Sequence, residues 1–225
     1  MDTGDGAAVI FDLDGVLIDS RRAISGCINH ALAARGLPTR PEVELYRYVG
    51  PPLAMSFADL LGEDEESEGV SSCVATYRSR YAEASLRETV AVPGISAVLA
   101  ELAVDYRLAV ATSKPLAFAR PLLDGLDLTR RFEVICGPDL AVRGEDKATT
   151  IRAVLTRLGT RTAVMVGDRS FDVLGAHANG ISAIGVTWGI GDGAELASAG
   201  ADLVTDVPVA LPVAVRTIFA RGLLR

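Results

Sequence analysis

Apolar residues fall along this chain in two alternating arrangements. Continuous runs of strand length occur at Ala7 to Phe11, Arg107 to Ala111, Phe132 to Cys136, Ala163 to Val166 and Ile181 to Val186. A run that is apolar at nearly every position, rather than every second one, predicts a strand covered on both faces, hence a parallel sheet. Between these runs the apolar positions take helical spacing, at Ile95 to Val104, Leu116 to Leu123, Lys147 to Leu158 and Phe171 to Ala178. Strand and helix in strict alternation predict an α/β fold with a doubly wound parallel sheet, whose ligand site lies beyond the carboxyl ends of the strands.

One stretch breaks the rhythm. From about Ser20 to Thr89 there is no convincing buried strand but four helical segments: Ser20 to Arg35, Glu42 to Tyr48, Leu53 to Leu61 and Ser67 to Leu86. Residues 20–89 are therefore expected to form a helical insert, and residues 1–19 with 90–225 the sheet-bearing core. Ser20 is expected to cap the first helix, and Gly36 with Pro38 to stop it. The acidic run Glu63-Asp64-Glu65-Glu66 is expected to be a solvated helix entry, because acids favour helix N-termini. The stretch after Pro208 predicts a terminal helix.

Composition narrows the function classes. The chain has 225 residues, of which 49% are hydrophobic and 23% charged, enough to bury a real core. Its net charge of -7 argues against nucleic acid as a partner, since such proteins carry a basic patch. No apolar run approaches the roughly 18 residues of a membrane span, and the segment Met1 to Gly6 is polar and acidic rather than signal-like. Cys27, Cys73 and Cys136 lie far apart with no C-x-x-C pair, which fits a reducing cytoplasm and neither a disulfide framework nor a zinc site. Of the 22 basic residues only Lys114 and Lys147 are lysines.

The candidate chemistry sits at strand ends. Asp12 and Asp14 follow the first apolar run, and two carboxylates two residues apart project the same way if the extended geometry persists. Burying them is costly without a cation, a shared proton or hydrogen bonds. An Asp-rich turn or cap would explain this pair taken alone. Asp168 and Asp172, however, follow a second apolar strand and a glycine, and in a parallel sheet both strand ends open on the same edge. Asp12, Asp168 and Asp172 are therefore candidates to converge on one hard cation, Mg2+ being suited to a small set of oxygens plus waters. Thr112, Ser113 and Lys114 end a third run, and Lys147 opens a helix. Hydroxyls, backbone N–H groups at a helix start and an ammonium are what a phosphoryl group needs. An N-cap or a solvated surface charge would be the ordinary reading of each singly. A chain that writes almost every other cation as arginine has nevertheless placed lysine at these two positions, where a compact point charge is suited.

Taken in order, Asp12-Leu13-Asp14-Gly15-Val16-Leu17, then Thr112, then Lys147, then Gly167-Asp168 with Asp172, this sequence resembles the haloacid dehalogenase (HAD) superfamily hydrolases. The likeness is to the phosphatase branch with a helical cap, in particular the phosphoglycolate phosphatase-like group. It implies a Rossmann-like core, with the insert as cap, and a Mg2+-dependent phosphomonoester hydrolase acting through an aspartyl-phosphate on a small phosphorylated metabolite. On that resemblance Asp12 is the nucleophile and Asp14 the general acid and base. The metal is held by Asp12, the backbone carbonyl of Asp14, Asp168 and Asp172. Thr112, Ser113 and Lys147 bind the phosphoryl oxygens, and Lys147 also orients Asp12. Lys114 competes with Lys147 for the third motif, which is assigned to Lys147 because the family's lysine comes later and opens a helix; Lys114 is then a second phosphate contact or a gate.

Val16 departs from the family, which commonly has threonine there. Arg47 and Tyr48 in the insert are cap candidates for touching the leaving group. His30 and His177 are expected in structural roles, and Trp188 in packing or at the pocket edge. A sugar phosphomutase and a non-catalytic phosphate-binding regulatory module are the rival readings, a dehalogenase a weaker one. The sequence is compatible with a homodimer and does not choose the ester.

Overall fold

The structure is a computed structural model that describes residues 6–140 and 146–222. Its described residues form the strands β1 (Ala8–Phe11), β2 (Ile18–Asp19), β3 (Val90–Ala91), β4 (Arg107–Ala111), β5 (Val134–Cys136), β6 (Ala163–Gly167), β7 (Ser182–Val186) and β8 (Leu203–Thr205). The helices are α1 (Arg21–Ala34), α2 (Glu42–Leu45), α3 (Leu53–Leu61), α4 (Glu68–Glu88), α5 (Ile95–Leu102), α6 (Leu116–Gly125), α7 (Lys147–Leu158), α8 (Ser170–Ala178), α9 (Gly193–Ser198) and α10 (Leu211–Gly222).

Six strands make a parallel sheet in the order β5-β4-β1-β6-β7-β8. The continuous apolarity of the strands is explained by two cores, one on each face. Val9, Phe11, Val164 and Val166 point into one, with α5, α6 and α10 residues such as Leu99, Leu122 and Val215. Ala8, Ile10, Ala163 and Met165 point into the other, with Ile151 and Val154 of α7 and Val173 of α8. Each large side chain so buried contributes about 1.5–3 kcal/mol. Strand β8 was not expected from the sequence: it has three residues, its middle residue Val204 is exposed, and so short an edge strand carries no continuous apolar run. Strand β5 begins at Val134 rather than Phe132, because Phe132 ends a 3-10 turn over Thr129–Arg131. Likewise Glu42 to Tyr48 is not one helix but α2 followed by a 3-10 turn at Tyr46–Tyr48.

The chain divides into two compact units, one of Asp19–Val90 and the other of the remainder. In the sheet-bearing unit, the N–H of Val92 donates to the carbonyl of Leu17 at 2.9 Å, tying the returning chain to the departing one. In the helical unit, Val70, Cys73, Tyr77, Tyr81 and Ala84 recur every three or four residues on the buried face of α4. Tyr77 stacks on Tyr81 at 5.2 Å and meets Phe57 of α3 edge-on at 6.2 Å. Among the described residues no helix is long and apolar enough to cross a membrane.

The expected cap at Ser20 is corrected: Ser20 occupies the N-cap position of α1, but its side chain makes no capping bond, its φ and ψ of -107° and 7° lying outside the extended region usual for a cap. Helix α4 does have a serine cap, Ser67, whose hydroxyl accepts from the N–H of Val70 at 3.0 Å and donates to Glu63 at 2.7 Å. The acidic run before it is exposed. Ser67→Ala is expected to destabilise the protein by about 1 kcal/mol, read as a shift of the urea midpoint.

Candidate active site

Strand order decides which side chains meet. Strand β1 lies between β4 and β6, with Phe11 level with Val110 on one side and Val166 on the other. One residue further, the N–H of Asp12 donates to the carbonyl of Val166 at 2.9 Å, so Asp12 leaves the sheet with the end of β6 beside it. The ends of β4 and β6 carry Thr112 and Asp168, which therefore flank Asp12. This is where successive connections leave toward opposite sides of the sheet, the place where open α/β sheets bind ligands.

Asp12, Asp168 and Asp172 form one cluster. Each offers a carboxylate oxygen, these oxygens lie within 4.8 Å of one another, and all three residues are buried. Asp172 reaches the cluster from the first turn of α8, where it also accepts from the N–H of Arg169 at 3.1 Å. Gly167 makes that approach available: a β-carbon on it would stand 2.1 Å from the β-carbon of Asp172.

Among the described residues, the ammonium of Lys147 answers these carboxylates directly. Lys147, the first residue of α7, donates to Oδ1 of Asp12 at 2.8 Å and to the carbonyl of Ala111 at 3.1 Å. Its Nζ also stands 2.9 Å from Oδ1 of Asp172. Among the described residues Oδ1 of Asp168 is buried without a hydrogen-bond donor, and Oδ1 of Asp172 is answered by the Lys147 ammonium. Three carboxylates against one ammonium leave two negative charges uncompensated when all are ionised. Hard oxygens, one of them lacking a donor, and an excess of two charges fit a divalent cation of the Mg2+ or Ca2+ kind.

The electrostatics agree. Burial pushes the Asp12 carboxyl from 3.8 up to about 7; Lys147 opposes the rise, while Asp172 and Asp14 add to it. Asp168 is raised well above the usual carboxylate range, by burial first and then by Asp172 and Asp12. Burial disfavours the charge on Lys147, but Asp12 and Asp172 outweigh it and hold the ammonium above its ordinary value.

On the other side of Asp12, the hydroxyl oxygen of Thr112 accepts from the N–H of Lys114 at 3.0 Å, and Thr112 is buried at the strand end. Ser113 is half-buried. Both lysines are buried, so neither is a surface charge. Lys114 Nζ stands 3.0 Å from Oδ1 of Asp14.

Comparison with known proteins adds the decisive observation: the family model described as haloacid dehalogenase-like hydrolase matches residues 9–186, from β1 to the end of β7. The chain is a haloacid dehalogenase-like hydrolase. It is 36% identical over 191 residues to a 5'-nucleotidase of Pseudomonas aeruginosa, covering 84% of this chain and 86% of that one. It is 31% identical over 207 residues to a phosphoglycolate phosphatase of Yersinia pestis, covering 87% of each. Among solved structures, a predicted phosphatase from Clostridium acetobutylicum superposes with a TM-score of 0.86 at 33% identity, over 92% of this chain and 96% of that one. The α/β Rossmann-like core and the enzyme class, a phosphatase of this family, follow from these likenesses.

The hydrolase has backbone support for Asp168 that sequence reasoning passed over. The N–H of Ile190 donates to Oδ2 of Asp168 at 2.7 Å, and a β-carbon on Gly189 would meet that same oxygen at 2.2 Å. The loop after β7 therefore cradles Asp168 by its backbone. Trp188 packs on the core and its Nε1–H donates to the carbonyl of Val16 at 3.2 Å, joining this loop to the one after β1. Val16, where the family commonly has threonine, is wholly buried among apolar residues. The repeated glycines in Gly189-Ile190-Gly191 were the available signal, since glycine marks close backbone approach.

Arg47 and Tyr48 belong to the helical unit, where Arg47 pairs with Asp59 at 3.0 Å, lies over the Tyr48 ring, and Tyr48 donates to the same Asp59 carboxylate. His30 is exposed on α1, and His177 pairs with Asp202 at 3.1 Å.

Both raised carboxyls bind protons better folded than unfolded. Their contribution to stability is therefore present below the ordinary value of 3.8 and lost as pH rises through about 7 for Asp12. In chelator, Asp168→Asn is expected to stabilise the protein relative to the parent by an amount that grows over this window. Adding Mg2+ at pH 8 should reverse the order, raising the Tm of the parent by about 5–10 °C at a hundredfold excess over Kd and that of the variant by much less. Differential scanning fluorimetry across pH, with and without the ion, checks both.

Proposed function

We propose that this hydrolase cleaves phosphomonoesters of small metabolites in two steps, with Asp12 as the nucleophile. The observation that carries the reading is that Asp12 is buried at the switch point of the sheet, with one oxygen held by Lys147 and two further aspartates beside it. The hydrogen bond from Lys147 leaves the other oxygen of Asp12 to attack phosphorus. In the first step that oxygen forms a bond to phosphorus, the ester bond breaks, and Asp14 gives its proton to the departing alkoxide. In the second step Asp14, now a carboxylate, takes a proton from the water that attacks the aspartyl-phosphate. Inorganic phosphate leaves, and Asp12 and Asp14 return to their starting states.

Asp12, Asp168, Asp172 and the backbone carbonyl of Asp14 would hold Mg2+, which when bound neutralises charge so that a carboxylate and a phosphate dianion can approach. Thr112 and Ser113 supply hydroxyl and backbone N–H groups to the phosphoryl oxygens, and Lys147 both orients Asp12 and offsets the charge gathered in the transition state.

The names of the relatives, a 5'-nucleotidase and a phosphoglycolate phosphatase, support a substrate of that size and charge. Phosphate release from nucleoside 5'-monophosphates, phosphoglycolate and sugar phosphates, ranked by kcat/KM, chooses among them. For the preferred ester, Asp12→Asn is expected to lower kcat by more than about a thousandfold with the fold retained by circular dichroism. Substantial turnover in that variant, or a chelator-insensitive rate in the parent, would refute the mechanism.

A further inference from the structure

The chain has only two lysines, and each is committed to a different aspartate of the Asp12-Leu13-Asp14 segment. Lys147 takes the nucleophile. Lys114 takes Asp14, with Nζ 3.0 Å from Oδ1 and side-chain exposures of 6% and 10% for the two partners. A pair so buried is a poor source of stability, because desolvating two charges cancels most of their attraction. An apolar pair of the same volume would serve folding as well.

The lysine is also rigidly mounted. Its N–H is held by the Thr112 hydroxyl at 3.0 Å, and the next residue, Pro115, has its φ fixed at -52° as the N-cap of α6. A compact ammonium on this turn meets one carboxylate oxygen, where the planar fork of arginine would demand two.

We propose that Lys114 is a positioning residue for the leaving-group acid: it holds the Asp14 carboxyl, by one oxygen, at the place from which the other oxygen serves the departing alkoxide. The assignment replaces the expectation that Lys114 contacts the phosphoryl group. It rests on the phosphomonoesterase reading above.

The test uses leaving groups of different basicity. An alkoxide needs a proton as it departs, and a positioned acid supplies roughly 10²–10⁴-fold in such a step. A nitrophenolate hardly needs one. In the full chain, Lys114→Ala is expected to lower kcat/KM for an alkyl phosphate by about a hundredfold or more, but for p-nitrophenyl phosphate by less than about tenfold. kcat/KM is the right quantity, since it reports formation of the aspartyl-phosphate and is blind to its later hydrolysis. Lys114→Met keeps the stem of the side chain and covers the case in which the alanine variant fails to fold; it should show the same split.

Equal losses on both esters, with KM raised, would mean that Lys114 binds the phosphoryl group and would overturn the proposal. Equal small losses that track a fall in Tm would overturn it too, by showing a structural role alone. If the parent hydrolyses neither ester, the phosphomonoesterase reading itself fails, and that result is separate from any split between them.

Discussion

Three buried carboxylates gathered around one ammonium, at the carboxyl edge of a parallel sheet, are the constraint on which the rest of this structure depends. In the absence of a cation such a cluster is unfavourable. Burial first, with Asp172 and Asp14 adding to it against Lys147, raises Asp12 to about 7, and Asp168 is displaced upward by burial and by its two neighbours. Everything that surrounds the cluster keeps those carboxylates from relaxing apart. Asp12 is pinned by its backbone bond to β6, Asp172 by its place in the first turn of α8, and Asp168 by the N–H of Ile190. The strain is structural in origin and chemical in use. A buried site whose own negative charges do not balance suits an added cation.

Sheet order converts this local problem into an assembly of distant segments. Asp12, Thr112, Lys147 and Asp168 are scattered over more than half the chain, yet β1 at the centre, with β4 and β6 as its neighbours, brings three of them to one edge. Lys147 arrives from α7, which packs on the face opposite α5 and α10 and so reaches Asp12 from one side only. The apolar faces of the strands are therefore what set the register of the site. Phe11 and Val166, both wholly buried, fix where β1 and β6 end relative to one another, and a slip of one residue would send Asp12 to the wrong face.

What could be read from the sequence follows from the same physics. Strands β1, β4, β6 and β7 were legible because both faces are buried and their apolar runs are unbroken. Asp12, Asp168 and Lys147 were legible because each stands directly after a strand or at the first residue of a helix, where polar residues are unexpected in such numbers. Strand β8 and helix α9 were not, since three and six residues are too few to display a period. The failed cap at Ser20 shows the other limit: residue type marks a cap position, but only the backbone dihedrals decide whether the hydroxyl can be used. The cradle of Asp168 escaped notice for a related reason. Its work is done by backbone groups of Gly189 and Ile190, and backbone donors have no signature in residue chemistry. The partner of Lys114 was likewise invisible, because a contact across a hundred residues depends on which strands are neighbours.

The distribution of charge explains how an acidic protein can serve an anionic substrate. A net charge of -7 gives no long-range attraction for a phosphate ester, and at physiological ionic strength the field of the surface is screened beyond about 8 Å. Recognition must then come from groups in direct contact, where a low local dielectric strengthens each interaction. Both lysines are buried at the site, while the arginines that make up the other basic residues include surface pairs such as Arg216 with Glu101 and Arg107 with Glu133. Arginine, with its fork, is spent on carboxylates at the periphery, and the compact ammonium is kept where a single oxygen must be addressed. Seen this way, the rarity of lysine follows from the division of labour between the two cations. Lys147 balances Asp12 and Lys114 stands against Asp14, and neither role is one that an arginine of the same chain could take over without rebuilding the turn or helix from which it projects.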